Sequence, residues 1–193
     1  CSGLVSAPGH DVEDEQGSVV GEAVRGGRRV EQVMEWVKTL KGTGGSSKAV
    51  EKGKSSCVGH EVLGKSLGGI GLGAIGVMVA NTAVELGMNV IGYDPYLSIS
   101  GALHLDNRVH MADLPALLQK ADFVTVHVPL TPSTQRMFNA EHIAKKKARR
   151  VLINNSPCEL LDTHHVLEAH ESCTLTRYRT DLPPHQPIRA KTC

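Results

Sequence analysis

Aromatic side chains are scarce in this chain, at 3% of its 193 residues. So few rings cannot form the row of stacking platforms that single-stranded nucleic acids need. An excess of charge of one sign is also missing, because 21 Lys and Arg residues balance 20 Asp and Glu residues to a net charge of +1. We therefore predict no nucleic-acid partner and no attachment to acidic surfaces.

Long apolar runs are absent as well. No stretch approaches the roughly 20 apolar residues that cross a bilayer, and no basic-then-apolar signal segment opens the chain. We therefore expect no membrane partner and a cytoplasmic location. The five cysteines are scattered and odd in number, which is typical of free thiols in a reducing compartment. The ten histidines show no familiar metal-ligand spacing, so no metal site is predicted.

Glycine, in contrast, is abundant, and three of the 20 glycines form the motif around which the chain is organised. Gly71, Gly73 and Gly76 make up G-x-G-x-x-G between an apolar run and an amphipathic helical pattern. One glycine allows a tight turn, one lets the backbone approach a pyrophosphate, and one lets a helix pack closely on a strand. The helix that begins there presents unpaired N–H groups and a positive dipole end to phosphate oxygens.

Asp94 stands eighteen residues after Gly76, at the end of the next apolar run. A carboxylate at that place can accept hydrogen bonds from an adenosine ribose and repel a 2′-phosphate, which favours NAD over NADP. An ordinary glycine-rich turn is the alternative, because G-x-G-x-x-G alone is a weak signal. The helical spacing after the turn and the short apolar run before Asp94 favour the dinucleotide site.

Predicted strands and helices alternate along the rest of the chain. Helical spacing marks residues 28–40, and Asp113 is placed to cap a helix that runs to Lys120. Further helices are predicted to begin near Thr131, Asn139 and Thr163. After the strand before the turn, strands are predicted at residues 89–93, 109–110, 122–128, 151–154 and 175–180.

This alternation predicts an α/β fold, with a Rossmann-like doubly wound parallel sheet in three α/β/α layers. Residues 28–183 are predicted to form the dinucleotide-binding domain. Residues 1–27 are expected to be an irregular leader, because glycines interrupt every period there. Residues 184–193 are expected to be a tail.

Several motifs occur in a fixed order along residues 28–183. Besides the glycine turn they are Ile91-Gly-Tyr-Asp-Pro-Tyr96, the segment 121–132, and Val151-Leu-Ile-Asn-Asn-Ser156. In these motifs the chain resembles the D-isomer-specific 2-hydroxyacid dehydrogenases, and among them the bacterial D-3-phosphoglycerate dehydrogenases. The resemblance implies NAD as the cofactor, oxidoreductase chemistry, and a small 2-hydroxy acid such as 3-phosphoglycerate as the substrate.

The resemblance also implies which residues hold NAD. Together with the three glycines, the implied cofactor-binding residues are Ala74 and Ile75 at the pyrophosphate, Asp94 at the adenosine ribose, Val128 and Pro129 on the adenine side, and Asn155, Ser156 and Asp181 near the nicotinamide. For the last five of these, a strand-end role without any ligand is an equally weighted alternative.

The positions that carry the family's chemistry differ in this sequence. Pro157 stands where the family has an arginine, and proline cannot hold a substrate carboxylate. Gln186 stands where the family has a glutamate, and no histidine in the family's context follows before Cys193. We therefore name no catalytic residue and expect an NAD-binding domain without turnover. The alternatives are an active NAD-dependent dehydrogenase and a non-catalytic partner that forms a homodimer through the helix at residues 28–40.

Overall fold

The computed structural model of the chain describes residues 12–28, 30–39, 51, 61–137, 150–154, 156, 158–160, 162, 164, 168 and 175–180. The helices are α1 (Val12–Arg28), α2 (Val30–Thr39), α3 (Ala74–Glu85), α4 (Ile99–His104) and α5 (Leu114–Lys120), with a short 3₁₀ helix at Cys158–Leu160. The strands are β1 (Ser66–Ile70), β2 (Asn89–Tyr93), β3 (His110–Met111), β4 (Phe123–Val126), β5 (Arg150–Asn154) and β6 (Leu175–Thr180).

Within the described part of the chain the strands form a six-stranded sheet in the order β3-β2-β1-β4-β5-β6. Every neighbouring pair is parallel. The chain runs outward from β1 to β2 and β3, and then crosses back to β4 on the other side of β1. The carboxyl ends of β1 and β4 therefore form a switch point, the place where open α/β sheets bind their ligands. The predicted parallel α/β fold is confirmed.

Helices cover both faces of this sheet. On one face, Val19 of α1 and Ala83 of α3 belong to a buried apolar cluster. On the other face, Leu117 of α5 packs in a second cluster with Ile70 and Leu152. Because both faces are covered, all four residues of β4 are buried, as is usual for parallel sheets. The three-layer Rossmann-like arrangement follows from these two clusters.

The N-terminal region corrects one expectation. The irregular leader predicted for residues 1–27 is wrong for residues 12–27, which belong to α1. Val19 is only 1% exposed, and the Gln16 amide donates a hydrogen bond to the Thr82 hydroxyl on α3. Gly26 is buried beside Val151, so a glycine brings α1 close to the sheet. Packing against α3 and β5 stabilises a helix that glycine alone disfavours.

The other predicted elements have mixed outcomes. The helix at residues 28–40 and the Asp113 cap are confirmed, the latter by a 2.8 Å bond from the Ala116 N–H to the carboxylate. Residues 132–136 form turns where a helix was predicted, because the Thr134 hydroxyl bonds the Pro129 carbonyl at 2.7 Å and holds a local loop. The helices predicted from Asn139 and Thr163 lie largely outside the described residues, as does the tail.

Among the helices of the described residues, none combines the length and the apolar character that a membrane crossing needs.

Candidate functional site

The glycine turn lies at the carboxyl end of β1, at the switch point. Gly71 has a φ of +87°, and a Cβ there would lie 2.7 Å from the carbonyl oxygen of His127. A Cβ on Gly76 would overlap the carbonyl oxygen of Gly71. The fold itself therefore requires glycine at both positions, since any side chain would push backbone atoms apart.

Gly73 is different, because its surroundings are open. A Cβ on Gly73 would meet no atom within 4 Å, and the backbone φ of −70° suits any residue. Gly73 is the N-cap of α3, and no side chain caps this helix end. Exposed Ala74 and half-buried Ile75 follow in the first turn. The N–H end of α3 thus faces open space at the switch point, which is the arrangement that binds phosphate oxygens.

Asp94 connects the end of β2 to the glycine turn. Its Oδ2 accepts a hydrogen bond from the Leu72 N–H at 2.8 Å, and its Oδ1 accepts one from the Tyr96 N–H at 2.8 Å. Because a carboxylate oxygen has two acceptor sites, each oxygen keeps capacity for a further donor such as a ribose hydroxyl. The carboxylate predicted from spacing alone is therefore held beside the turn, in a fixed orientation.

The residues after β4 lie against the glycine turn, where a Cβ on Gly71 would lie 2.8 Å from Cγ1 of Val128. Val128 is half-buried and packs against the core cluster beneath α5, as do Tyr93 and Ala112. Pro129 follows and is exposed. The structure thus places Val128 on an apolar surface at the carboxyl end of the sheet, beside Gly71.

His127 is a residue of this site that the sequence reasoning missed. Its Nε2 lies 2.8 Å from the Thr125 hydroxyl, and its Nδ1 is buried without a hydrogen-bond partner among the described residues. Burial lowers the pKa of His127 to about 4, so the ring is neutral at pH 7. Its carbonyl contacts Gly71, so the residue forms the floor of the turn. The signal in the sequence that could have pointed to His127 was a polar residue directly after the run 123–126, which is buried in the structure.

At the other end of the site, Ser156 follows β5. Its hydroxyl donates to the Val126 carbonyl at 2.9 Å, and its N–H donates to Oδ1 of the buried Asn154 at 3.3 Å. The hydroxyl bond ties the segment after β5 to the end of β4, and the N–H bond holds Ser156 to the last residue of β5. Asn155, Pro157, Asp181 and Gln186 lie outside the described residues. The predicted contacts of Asn155, Ser156 and Asp181 with the nicotinamide stay predictions.

Comparison with known proteins then decides the family. The sequence profile of the D-isomer specific 2-hydroxyacid dehydrogenase, NAD binding domain, matches residues 23–192. The chain belongs to this family. The resemblance inferred from the motifs is thereby confirmed, and NAD is the cofactor of this kind of domain.

Two relatives show how far the sequence similarity extends. The D-3-phosphoglycerate dehydrogenase of Methanocaldococcus jannaschii is 37% identical over 129 residues, which are 67% of this chain and 24% of the relative. The hydroxypyruvate reductase of Thermotoga maritima is 37% identical over 142 residues, which are 72% of this chain and 45% of the relative. The chain thus spans between a quarter and a half of the length of these relatives.

A solved structure agrees with the fold. The D-lactate dehydrogenase of Aquifex aeolicus, complexed with NAD and lactic acid, superposes with a TM-score of 0.75. It is 24% identical, and the match covers 90% of this chain and 49% of that protein. At this identity the likeness supports the shared fold alone.

Proposed function

We propose that this chain binds NAD as a domain of the 2-hydroxyacid dehydrogenase type and does not itself turn over a 2-hydroxy acid. One observation carries the proposal of NAD binding: the Asp94 carboxylate accepts a 2.8 Å hydrogen bond from the N–H of Leu72 in the glycine turn. This bond supports the proposal, because a carboxylate beside an uncapped helix end offers the two groups that an adenosine diphosphate unit needs.

The residues present fit the cofactor. The pyrophosphate would be held by Gly73, Ala74 and Ile75, because the space at Gly73 is open and α3 begins there without a side-chain cap. Asp94 would hold the ribose hydroxyls, and Val128 would support the adenine. When bound, NAD supplies a nicotinamide ring that accepts hydride. The chain's own contribution is to hold the dinucleotide along the carboxyl edge of the sheet.

The second half of the proposal rests on two residue types. A 2-hydroxy acid needs a cation for its carboxylate, and Pro157 stands at the matched position. A histidine base needs a carboxylate to stabilise its charged form, and neutral Gln186 stands at that position. The substrate class to test is a small 2-hydroxy acid such as 3-phosphoglycerate, since a matched relative is a D-3-phosphoglycerate dehydrogenase.

The test is a fluorescence titration of the purified chain with NADH, run beside an assay of 3-phosphoglycerate oxidation with NAD. We expect saturable binding, at least tenfold weaker in Asp94→Ala, because hydrogen bonds to a charged group contribute about 1.5–3 kcal/mol. Asp113→Ala is the matched control, since it removes a carboxylate that caps α5. Turnover would disprove the loss of catalysis, and absence of NADH binding would disprove the proposal as a whole.

Self-association is a second candidate function. On α2, Met34 is 53% exposed and Val37 is 49% exposed, next to half-buried Val33 and Trp36. Such an apolar face is a plausible contact for a second copy. Light scattering after size exclusion should then give a dimer mass that Met34→Glu reduces to a monomer. A monomer in the unmodified chain would rule this function out. The cytoplasmic location stays a prediction.

A further inference from the structure

The side-chain amide of Asn81 joins two other segments of the chain to the middle of α3. Its Nδ2 donates a 2.8 Å hydrogen bond to the carbonyl of His104, the last residue of α4. The last carbonyls of a helix have no partner within the helix, so this bond satisfies one of them. The Oδ1 of Asn81 accepts a 2.8 Å hydrogen bond from the N–H of Asp106, in the segment that leads to β3. The amide thus fixes the carboxyl end of α4 to α3.

Apolar packing within α4 is too weak to fix this helix by itself. The helix has six residues, and none of them is buried. Ile99 is 83% exposed and Leu103 is 80% exposed, so neither side chain gains much from leaving water. Leu97 and Leu105, which flank the helix, are only partly buried against the apolar cluster that contains α3. The hydrogen bond from Asn81 therefore adds a directional contact where the apolar contacts are sparse.

The backbone of α4 lies against the glycine turn. A Cβ on Gly101 would lie 3.3 Å from the carbonyl oxygen of Leu72, so the absence of a side chain at Gly101 lets the helix approach the turn. The N–H of the same Leu72 donates the 2.8 Å hydrogen bond to Oδ2 of Asp94. A shift of α4 would therefore reach Leu72 directly and would move the carboxylate through it.

We propose that Asn81 is a positioning residue of the dinucleotide site, which holds α4 against the glycine turn and thereby keeps Asp94 in place for the ribose. This inference rests on the proposed function, because Asp94 is the group that would bond the nucleotide. Asn81 acts through α4 and not by touching the ligand. Its place is in the middle of α3, whereas the free N–H groups of a helix belong to its first turn.

The test compares NADH titrations of Asn81→Ala and Asn89→Ala, followed by fluorescence. Asn89 is a matched control, because its Nδ2 also donates to a backbone carbonyl, that of Gly64 at 3.2 Å. Asn89 is the first residue of β2 and lies at the end of this strand that points away from Asp94. Both variants lose an amide hydrogen bond and should unfold at a lower urea concentration. Only Asn81→Ala should also weaken NADH binding, roughly fivefold.

A double-mutant cycle tests whether the effect passes through Asp94. If Asn81 acts by placing that carboxylate, Asn81→Ala should change NADH affinity less than about twofold in a chain that already carries Asp94→Ala. Asn81→Asp guards against misfolding of Asn81→Ala. It keeps an acceptor for the N–H of Asp106 but sets an oxygen against the carbonyl of His104, so it should give the same loss of NADH affinity.

The outcomes separate this inference from the proposed function. Unchanged NADH affinity in the Asn81 variants would overturn the positioning role while leaving the dinucleotide site intact. An equal loss of affinity in Asn89→Ala, or a full additional loss in the Asp94→Ala background, would do the same. If NADH does not bind to the unmodified chain, the proposed function fails, and the positioning role fails with it.

Discussion

Replacement of Gly73 and of Gly76 by alanine should show that the turn glycines serve two different purposes. Gly76→Ala places a methyl group on the carbonyl oxygen of Gly71, a backbone atom that cannot rotate away. Overpacking costs about 1–3 kcal/mol, and we expect the upper end because backbone must move. Alanine regains about 1 kcal/mol as a better helix former than glycine. The free energy of unfolding should therefore fall by about 2 kcal/mol.

Gly73→Ala should behave differently, because its methyl group meets nothing within 4 Å. Alanine is a poorer N-cap than glycine, by up to about 1 kcal/mol. The lower entropy of the unfolded chain returns about 0.4–1 kcal/mol. These contributions nearly cancel, so stability should change by less than about 0.5 kcal/mol. In the proposed function the methyl group would stand where the pyrophosphate approaches, so NADH affinity should fall roughly tenfold or more.

The assay is urea unfolding followed by circular dichroism, combined with NADH titration of each folded variant. Gly73→Ala with native stability and unchanged NADH affinity would refute the assignment of the open space to the cofactor. Equal destabilisation by the two variants would refute the distinction between a glycine needed for packing and a glycine needed for the ligand.

Three further predictions concern single side chains. The pKa of His127 is about 4 in the folded chain and 6.5 when unfolded, so the unfolded state binds more protons between these values. The free energy of unfolding should therefore fall by about 2 kcal/mol from pH 8 to pH 5. An equal dependence of stability on pH in His127→Gln would contradict this. Asp113→Ala should lower the free energy of unfolding by about 1 kcal/mol in urea, because it removes the N-cap of α5. An unchanged urea midpoint would count against the contribution of this cap. Asp94→Ser should reduce the preference for NADH over NADPH in parallel titrations, because the charge that repels a 2′-phosphate is lost. An unaltered ratio of the two affinities would show that another residue sets the cofactor selectivity.

Much of the dinucleotide site could be predicted because its signals are local. The three glycines, the helical spacing after them and Asp94 lie within one strand-turn-helix-strand unit. The role predicted for each residue follows either from the backbone conformation at that position or from its place at the end of a strand or helix. The predicted turn and carboxylate are found together, joined by the bond between Leu72 and Asp94.

Other features depend on side-chain contacts that the pattern of residue types does not show. The Thr134 hydroxyl turned a predicted helix start into a loop by bonding the Pro129 carbonyl. The low pKa of His127 arises from burial beneath the glycine turn, more than fifty residues earlier in sequence. In the sequence, Thr134 and His127 look like any exposed threonine or histidine. The pattern of residue types alone could therefore not reveal the hydrogen bond of the one or the burial of the other.

The sequence by itself determined the parallel α/β fold and the position of the glycine turn, because periodicity and glycine spacing act over a few residues. Only the tertiary structure decided that residues 12–28 form a helix, since Val19 gains its burial from α3 and not from its neighbours. It likewise decided that Gly73 is open while Gly76 is crowded. The same residue type serves packing at one position and a ligand at the other, because space around a backbone atom is set by the whole fold.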